Sequence, residues 1–437
     1  MTGLLSQPFR AVEPFPHPVA AVIRRRAIFE CCKWDPQVED VATIADAPIV
    51  LDPEDWRHLV VSAERLAAEV VAAEEELRHR PELHHTLGLP WTVRRLFRRS
   101  SGHAFSAAPR LIRFDFHHTD AGWRISEANT DVPGGLNEAS GLPRLVAPYV
   151  PDAQSAGDVA GCYAGAALAA LPAGAHVALV HATAYSDDRQ VMTYMAGCLQ
   201  QRGARVSLVS PAHLRWRGGR AALDTAWSAD AVDAVLRFYP AEWMYNLPRA
   251  CGWPAYFEPT STPVSNPARA LLTQTKRFPL TWDALRTALP SWQALLPETR
   301  DPREVQWQGS DEWVLKPALG RVGEDVLIAG VTPANDVRRI ARDVRRHPSH
   351  WIAQRRFAAT PMRVGERDVY PSIGVYTVNG RVAGAYGRIA GKPLIDARAR
   401  DAAVLIGGVR LQPDLRSVRL EADLSNVVSA FRRTCCT

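Results

Sequence analysis

The sequence predicts an α/β protein, and three observations lead there. From Gly174 onward, strand-like and helix-like stretches alternate at βαβ spacing: 176–181, a helix from Ser186 to Arg202, then Arg205–Val209 and 233–239. Residues 111–129 and 372–388 each read as an antiparallel hairpin, two β-branched and aromatic runs around a short turn. The chain has 437 residues, 47% of them hydrophobic and 22% charged, so it can bury a large core and is long for one domain. Three units are expected, spanning 1–150, 151–265 and 266–437.

The first 50 residues are Pro-rich, and Pro14, Pro16 and Pro18 predict an extended segment. From Pro53 to about Arg80 the pattern is helical: Leu59, Val60, Ala63, Leu66, Ala67, Val70 and Val71 follow the three-four spacing of a buried face. Gly203 suits the C-terminal cap of the helix that Ser186-Asp-Asp opens. No GxGxxG follows the strands, so a dinucleotide site is not supported. Ser265-Asn266-Pro267 predicts a helix start with Asn at the cap, the helix ending near Lys276, and a second helical stretch follows from Thr281. Residues 313–316 and 324–328 read as strands around a glycine loop, Pro317-Ala-Leu-Gly320-Arg321-Val-Gly323. Such a loop can fold over phosphates with its N–H groups, and is also a common plain turn. Thr332-Pro333 then opens a helix with Val337, Ile340, Ala341 and Val344 inward and an arginine-rich outer face, and residues 351–354 form a strand. One more helical stretch is expected beyond residue 413.

The first hairpin carries the most chemistry. A three-residue loop at Asp120-Ala121-Gly122 pairs Thr119 with Trp123, which sets Asp115 opposite Glu127 and Arg113 opposite Asn129. Residues two apart on a strand share a face, so these four form one polar square. Two carboxylates across a ladder repel, and a divalent cation between them removes the repulsion; oxygen-only ligands suit Mg²⁺. An ordinary solvent-facing hairpin presents the same residues, and the pattern alone leaves both readings open. The pairs His84-His85 and His117-His118 are read as polar or packing residues, because neighbours on a strand point to opposite faces.

Charge and cysteine content narrow the class. The net charge of +6 is spread along the chain without an aromatic-interleaved basic tract, which favours phosphate or carboxylate binding over nucleic acid. The seven cysteines show no CxxC spacing, which predicts reduced thiols and a cytoplasmic setting, with Cys162, Cys198 and Cys251 buried. No signal peptide is read at the N-terminus. The most apolar stretch, 160–180, is broken by Pro172 and Gly174, so no membrane span is expected.

Several segments match one pattern in one order. They are Arg113-x-Asp115; Glu127-x-Asn129; Phe238-Tyr-Pro-Ala-Glu-Trp-Met244; Gln274-Thr-Lys276; Lys316-Pro317 with its glycine loop; and Gly374 through Gly384 to Arg388. Together they resemble the synthetase domain of glutathionylspermidine synthase and its shorter relatives, which are circularly permuted ATP-grasp ligases. The resemblance covers residues 105–400 and implies an inserted Rossmann-like, pre-ATP-grasp βαβ domain. No amidase segment precedes the matched region. The glycine loop reads Arg321-Val-Gly323 where the family has an acidic residue between, and Asp396-Ala-Arg-Ala-Arg-Asp401 replaces an aromatic-Pro-His ending. These departures bear on the substrates rather than on the ATP chemistry.

The resemblance implies a carboxylate–amine ligase that uses ATP and Mg²⁺, two ions in the family, and forms an amide through an acyl phosphate. Asp115, Glu127 and Asn129 would hold the metals. Arg113 and Arg388 would steady the transferring phosphoryl group and the tetrahedral oxyanion. Lys276 and Lys316 would contact ATP; Gly320, Arg321 and Gly323 would close over its phosphates; Gln354 would meet adenine. The partners would be an amine and a small acidic metabolite or peptide carboxylate. The segment around Glu242 is read as structural. Two rival readings are a non-catalytic ATP-binding protein on the same scaffold and a phosphotransferase.

Overall fold

The structure is a computed structural model, and it describes residues 8–35, 37–38, 41–100, 107–320 and 325–408. The helical stretch expected beyond residue 413 and the candidates Arg321 and Gly323 lie outside the described residues. The fold is mixed α/β.

A central antiparallel sheet carries the site. Its strand order is Arg400–Ala402, Arg381–Ala390, Arg367–Val378, Leu111–Thr119, Gly122–Asn129, with Met362–Val364 paired to the side of Arg367–Val378. The first hairpin thus pairs with residues about 260 positions later: Asp115 lies beside Gly374 and Arg113 beside Tyr376. Alternation divides the strands between two environments. Phe114, Phe116, Ile373 and Val375 are fully buried against the long helix Pro53–Arg78, whose Leu59, Ala63, Leu66, Ala67 and Val70 meet them in one core. Each large side chain so buried contributes roughly 1.5–3 kcal/mol. Asp52 caps that helix, its Oδ1 accepting the Glu54 N–H at 2.7 Å, and Pro53 occupies the first turn, where a missing N–H costs nothing. The opposite face of the sheet, with Arg113, Asp115 and His117, opens onto a cleft.

The stretch from 176 to 265 forms a parallel sheet in the order Val264–Ser265, Ala234–Arg237, His176–Val180, Arg205–Val209. Helix Ser186–Gln200 connects two of its strands, and Gly203 has φ +86° just past the helix end. A third sheet sets Trp351–Arg355 between Thr299–Arg300 and Trp313–Pro317 under helix Ala334–Arg346. A fourth joins Ile49–Leu51, Val404–Gly407 and Ala153–Ser155.

Several expectations are corrected. Residues 1–50 are not simply extended, because His17–Glu30 is a helix with Pro18 in its first turn, where proline is tolerated. Only Ile23 and Ala27 of it are buried, too short an apolar stripe to read as periodicity. Val71 is exposed, not on the buried face. Asn266 does not cap a helix: its amide bonds the backbone of Leu111, Thr130 and Asp131, fastening both ends of the first hairpin. The stretch after Thr281 is a 3₁₀ turn, Phe278–Ala284, and a short helix, Pro290–Leu295. In the predicted strand at 324–328, Leu327 makes an isolated bridge to Leu315. Cys162 is exposed, and Cys198 and Cys251 are half-buried.

Candidate functional site

The first hairpin reaches the predicted pairing by another route. Thr119 pairs with Gly122, not Trp123, so the turn is one residue shorter than expected. Ser126 is then an extra residue between the pairs Phe116–Ile125 and Asp115–Glu127, a bulge that shifts the register by one. The two changes cancel. Asp115 faces Glu127 and Arg113 faces Asn129. The bulge also frees the Ser126 carbonyl, which accepts from Lys316 Nζ at 3.1 Å.

The nine described candidates line one cleft of about 740 Å³: Arg113, Asp115, Glu127, Asn129, Lys276, Lys316, Gly320, Gln354 and Arg388. Arg113 grips Asp115 with Nε and Nη2 at 2.6 and 2.9 Å, and Nη1 donates to the Gly134 carbonyl at 2.8 Å. Asn129 Nδ2 donates to Asp115 Oδ2 at 3.1 Å. Gly374 leaves room for this pair, since a Cβ there would sit 2.7 Å from Arg113 Cδ and 3.0 Å from Asp115 Oδ1. Lys276 Nζ lies 3.1 Å from Glu127 Oε2 and donates to the Gly320 carbonyl at 2.8 Å, tying the hairpin to the start of the glycine loop. Lys316 Nζ donates to Gln354 Oε1 at 2.7 Å, and Gln354 Nε2 reaches Thr299 Oγ1 at 3.2 Å. Arg388 Nη2 donates to the carbonyls of Asp396 and Ala399 at 2.7 and 3.1 Å. Val314, Val326 and Ile328 give the lysine side an apolar wall.

The electrostatics follow from burial and these pairings. Burial pushes the Asp115 carboxyl up, with Arg113 opposing and Glu127 reinforcing the rise. Burial would raise Glu127 too, but Lys276 and Lys316 overcome it and hold that carboxyl at about 2. Burial lowers the Lys316 ammonium to about 8, against the pull of Glu127. His117, lowered to about 4 by burial and by Lys316, pairs with Ser126 Oγ at 3.1 Å. It borders the cleft rather than filling only a packing role. His84 is a buried packing residue bonded to the Leu77 carbonyl.

Among the described residues, no group of three or more His, Cys, Asp or Glu is arranged to hold a metal ion. The donor set of the hairpin still suits Mg²⁺, which takes one or two protein carboxylates and completes its shell with water and phosphate oxygens. Asp115 and Glu127 are paired across the ladder, and the cationic ends of Arg113 and Lys276 stand in for the positive charge a metal would bring.

Sequence reasoning missed one wall of the cleft. Lys33 Nζ bridges Glu138 Oε1 at 2.9 Å and Asp401 Oδ2 at 3.0 Å, and Tyr386 donates its hydroxyl to Asp401 Oδ1 at 2.5 Å. One signal was available: Tyr386 is two residues from Arg388 and so shares its face of the strand. Lys33 lies in the irregular stretch after helix His17–Glu30 and Glu138 in helix Leu136–Val146, two places that no local pattern links.

The cleft of this mixed α/β chain sets paired carboxylates and arginines beside lysines and Gly320, and its family is one of synthetase-like ligases. The family model described as glutathionylspermidine synthase preATP-grasp matches residues 32–406, and the chain belongs to that family. A glutathione synthetase-like effector from Globodera pallida, solved in its apo form, shares the fold: TM-score 0.57 at 11% identity, covering 90% of this chain and 99% of that one. A protein from Methylobacillus flagellatus KT, described as a gamma-glutamylcysteine synthetase, aligns at TM-score 0.42 and 15% identity over 77% of this chain and 88% of that one. No curated protein matches the sequence significantly. Among the described residues, no helix is long and apolar enough to cross a membrane.

Proposed function

We propose that the chain is an ATP- and Mg²⁺-dependent carboxylate–amine ligase on a circularly permuted ATP-grasp fold. In this reading residues 1–150 supply a helical segment and the metal-bearing hairpin, 151–265 a Rossmann-like pre-ATP-grasp insert, and 266–437 the nucleotide-binding and lid region. One observation carries it: hairpin residues 113–129 and residues 276–388, more than 140 positions apart, converge on a single cleft that brings the lysines to the carboxylates, Lys276 lying 3.1 Å from Glu127. The cleft volume lies within the usual range for small-molecule sites.

Joining a carboxylate to an amine is uphill in water. A carboxylate oxygen attacks the γ-phosphorus of ATP, ADP leaves, and an acyl phosphate forms. The neutral amine then attacks the acyl carbon, phosphate leaves with the bonding pair, and the nitrogen gives up its surplus proton. Both steps need positioning and charge neutralisation. Lys276 and Lys316 would hold ATP phosphates, and Gly320 with the loop it begins would cover them and exclude water that hydrolyses acyl phosphates. Gln354, already bonded to Lys316, would meet the adenine edge against Val314 and Ile328. Arg113 and Arg388 would meet the transferring phosphoryl group and the oxyanion, for which a planar guanidinium offers paired donors. Asp115, Glu127 and Asn129 would hold Mg²⁺, which neutralises phosphate charge when bound. Unpaired thiols at Cys31, Cys32, Cys162, Cys198 and Cys251 fit a reducing, cytoplasmic setting.

An ADP-release assay with candidate acids, with and without amines, tests this. ADP formed only when both are present is the expected result. ADP with acid alone and a stable phosphorylated product would make the chain a phosphotransferase. ATP binding without turnover in any acid–amine pair, unchanged in Asp115→Ala, would leave a nucleotide-binding protein.

A further inference from the structure

Arg113 and Arg388 share a neighbour that the proposed chemistry leaves unused. Tyr386 is paired in register with Gly374, which is paired in turn with Asp115. With no side chain at 374 between them, the Tyr386 ring reaches Arg113, whose guanidinium carbon lies 5.4 Å from the ring centroid. Tyr376, paired directly with Arg113, offers a second ring at 5.9 Å. Its hydroxyl donates to the same Gly134 carbonyl that accepts from Arg113 Nη1. A planar cation held against two rings and by three hydrogen bonds has little freedom to turn.

The far end of Tyr386 leads to the other arginine. Its hydroxyl donates to Asp401 Oδ1 at 2.5 Å, a charge-assisted bond. Asp401 stands opposite Arg388 across the next strand pair, its Oδ1 3.9 Å from Arg388 Nε. That separation is too long for a hydrogen bond. Arg388 Nε is buried and has no hydrogen-bond partner, although its Nη2 is fixed by backbone carbonyls. Asp401 does not close onto it because its charge is already met: Oδ1 takes Tyr386, and Oδ2 takes Lys33 at 3.0 Å. Lys33 is held in turn by Glu138 at 2.9 Å. The result is an arginine with a desolvated donor left over at one end of Tyr386 and a second arginine locked in orientation against its ring.

We infer that Tyr386 and Asp401 are positioning residues that hold Arg113 and Arg388 toward one shared anion position, with Lys33 keeping Asp401 from closing onto Arg388. The anion is of the phosphate class, either a transferring phosphoryl group or free inorganic phosphate. The inference rests on the anion-binding role proposed for the two arginines. It also gives the segment around Lys33 a function, which the motifs in 105–400 do not.

The test uses the full chain labelled with ¹⁵N at arginine and titrated with inorganic phosphate. The Nε–H signals of Arg113 and Arg388 are assigned from Arg113→Lys and Arg388→Lys. In the wild type both signals are expected to move together with one dissociation constant. Tyr386→Phe keeps the ring and cuts the link to Asp401, and Asp401→Asn weakens the same link from the other side. Each is expected to lower phosphate affinity roughly tenfold, the worth of one hydrogen bond to a charged group, and to move the Arg388 signal before any phosphate is added. Tyr386→Leu also removes the ring face and should shift the Arg113 signal. If it fails to fold, Tyr386→Phe and Asp401→Asn decide the matter. Wild-type affinity with both signals unmoved in those two variants overturns the inference, as do two different dissociation constants, or no response to phosphate, in the wild type. Because the readout is phosphate and not turnover, failure to form ADP would overturn the ligase reading and not this one.

Discussion

Arg237–Asp131 and Arg113–Asp115 are the same pair of side chains in two settings. In the first, exposure of the side chains is 0% and 3%, and the protein satisfies nearly every donor and acceptor. Arg237 Nε and Nη1 donate to the carbonyls of Asn266 and Tyr239 at 3.0 and 2.7 Å, and Asp131 Oδ2 also takes the Ala241 N–H at 2.9 Å. In the second, exposure is 14% and 12%, one face of the pair borders the cleft, and Asp115 stands across the ladder from a second carboxylate. The contrast teaches that an ion pair is read as structural or functional by what it leaves unspent, not by its length. The first pair locks the end of the hairpin onto the parallel sheet; the second presents a guanidinium edge and a carboxylate to whatever enters.

Breaking the enclosed pair should have the largest effect on stability. Asp131→Ala strands Arg237 without a counter-ion and is expected to cost about 3–5 kcal/mol in denaturant unfolding. Arg113→Ala should lower the unfolding midpoint less than that, yet reduce ADP release by roughly 10²–10³-fold if the arginine meets developing charge. The opposite ranking in either measurement would break the contrast. Gly374→Ala sharpens it, because the added carbon displaces Arg113 without removing it; ADP release should fall while circular dichroism stays native.

A smaller effect is expected from pH. Lys316 is lowered to about 8, so its charge is present below that value and lost as pH rises through it. ATP affinity should therefore weaken about tenfold between pH 7 and 9, and Lys316→Met should bind weakly at both ends. The sign for stability is the reverse: between about 8 and the unfolded value the unfolded chain binds more protons, so this group favours the folded state increasingly as pH rises. An affinity that ignores pH over this range would overturn the phosphate contact proposed for Lys316. The smallest effect belongs to Arg363–Asp368, a pair at 3.1 Å with both side chains about half exposed. Arg363→Ala should change stability by no more than about 0.5 kcal/mol.

Much of this architecture was legible, for identifiable reasons. The strand at 176–180 is a nearly continuous hydrophobic run, buried throughout, and 205–209 alternates polar with apolar residues; turn residues bound both. The hairpin at 367–390 was announced by Asn379-Gly380, both of which adopt positive φ. The Asp115–Glu127 pairing was inferred correctly through a turn that is one residue shorter, because the Ser126 bulge makes up the difference. The bulge's trace is a one-residue slip in the apolar alternation, from Trp123 and Ile125 to Ala128. Of the Lys33–Asp401–Tyr386 wall only Tyr386 had a signal, its place two residues from Arg388, because three segments that share no local pattern supply the wall. Asp401 in particular sat in a run read only as a departure from a family ending, whereas it pairs opposite Arg388.

The central sheet has a consequence for synthesis. Leu111–Thr119 has Gly122–Asn129 on one edge and Arg367–Val378 on the other. As the chain leaves the ribosome, the hairpin can close within moments of emerging, but its second edge waits for more than 230 further residues. For that interval an apolar strand edge and both site carboxylates stand open, the state in which nascent β-proteins are most prone to pair wrongly. Arg388 and Asp401 arrive later still, so the Arg388 end of the cleft is finished only after the second hairpin has been made. A truncated product ending before residue 367 would keep Asp115 and Glu127 yet lack the strand that Arg113 leans on, and is expected to be cleared rather than to compete for ATP.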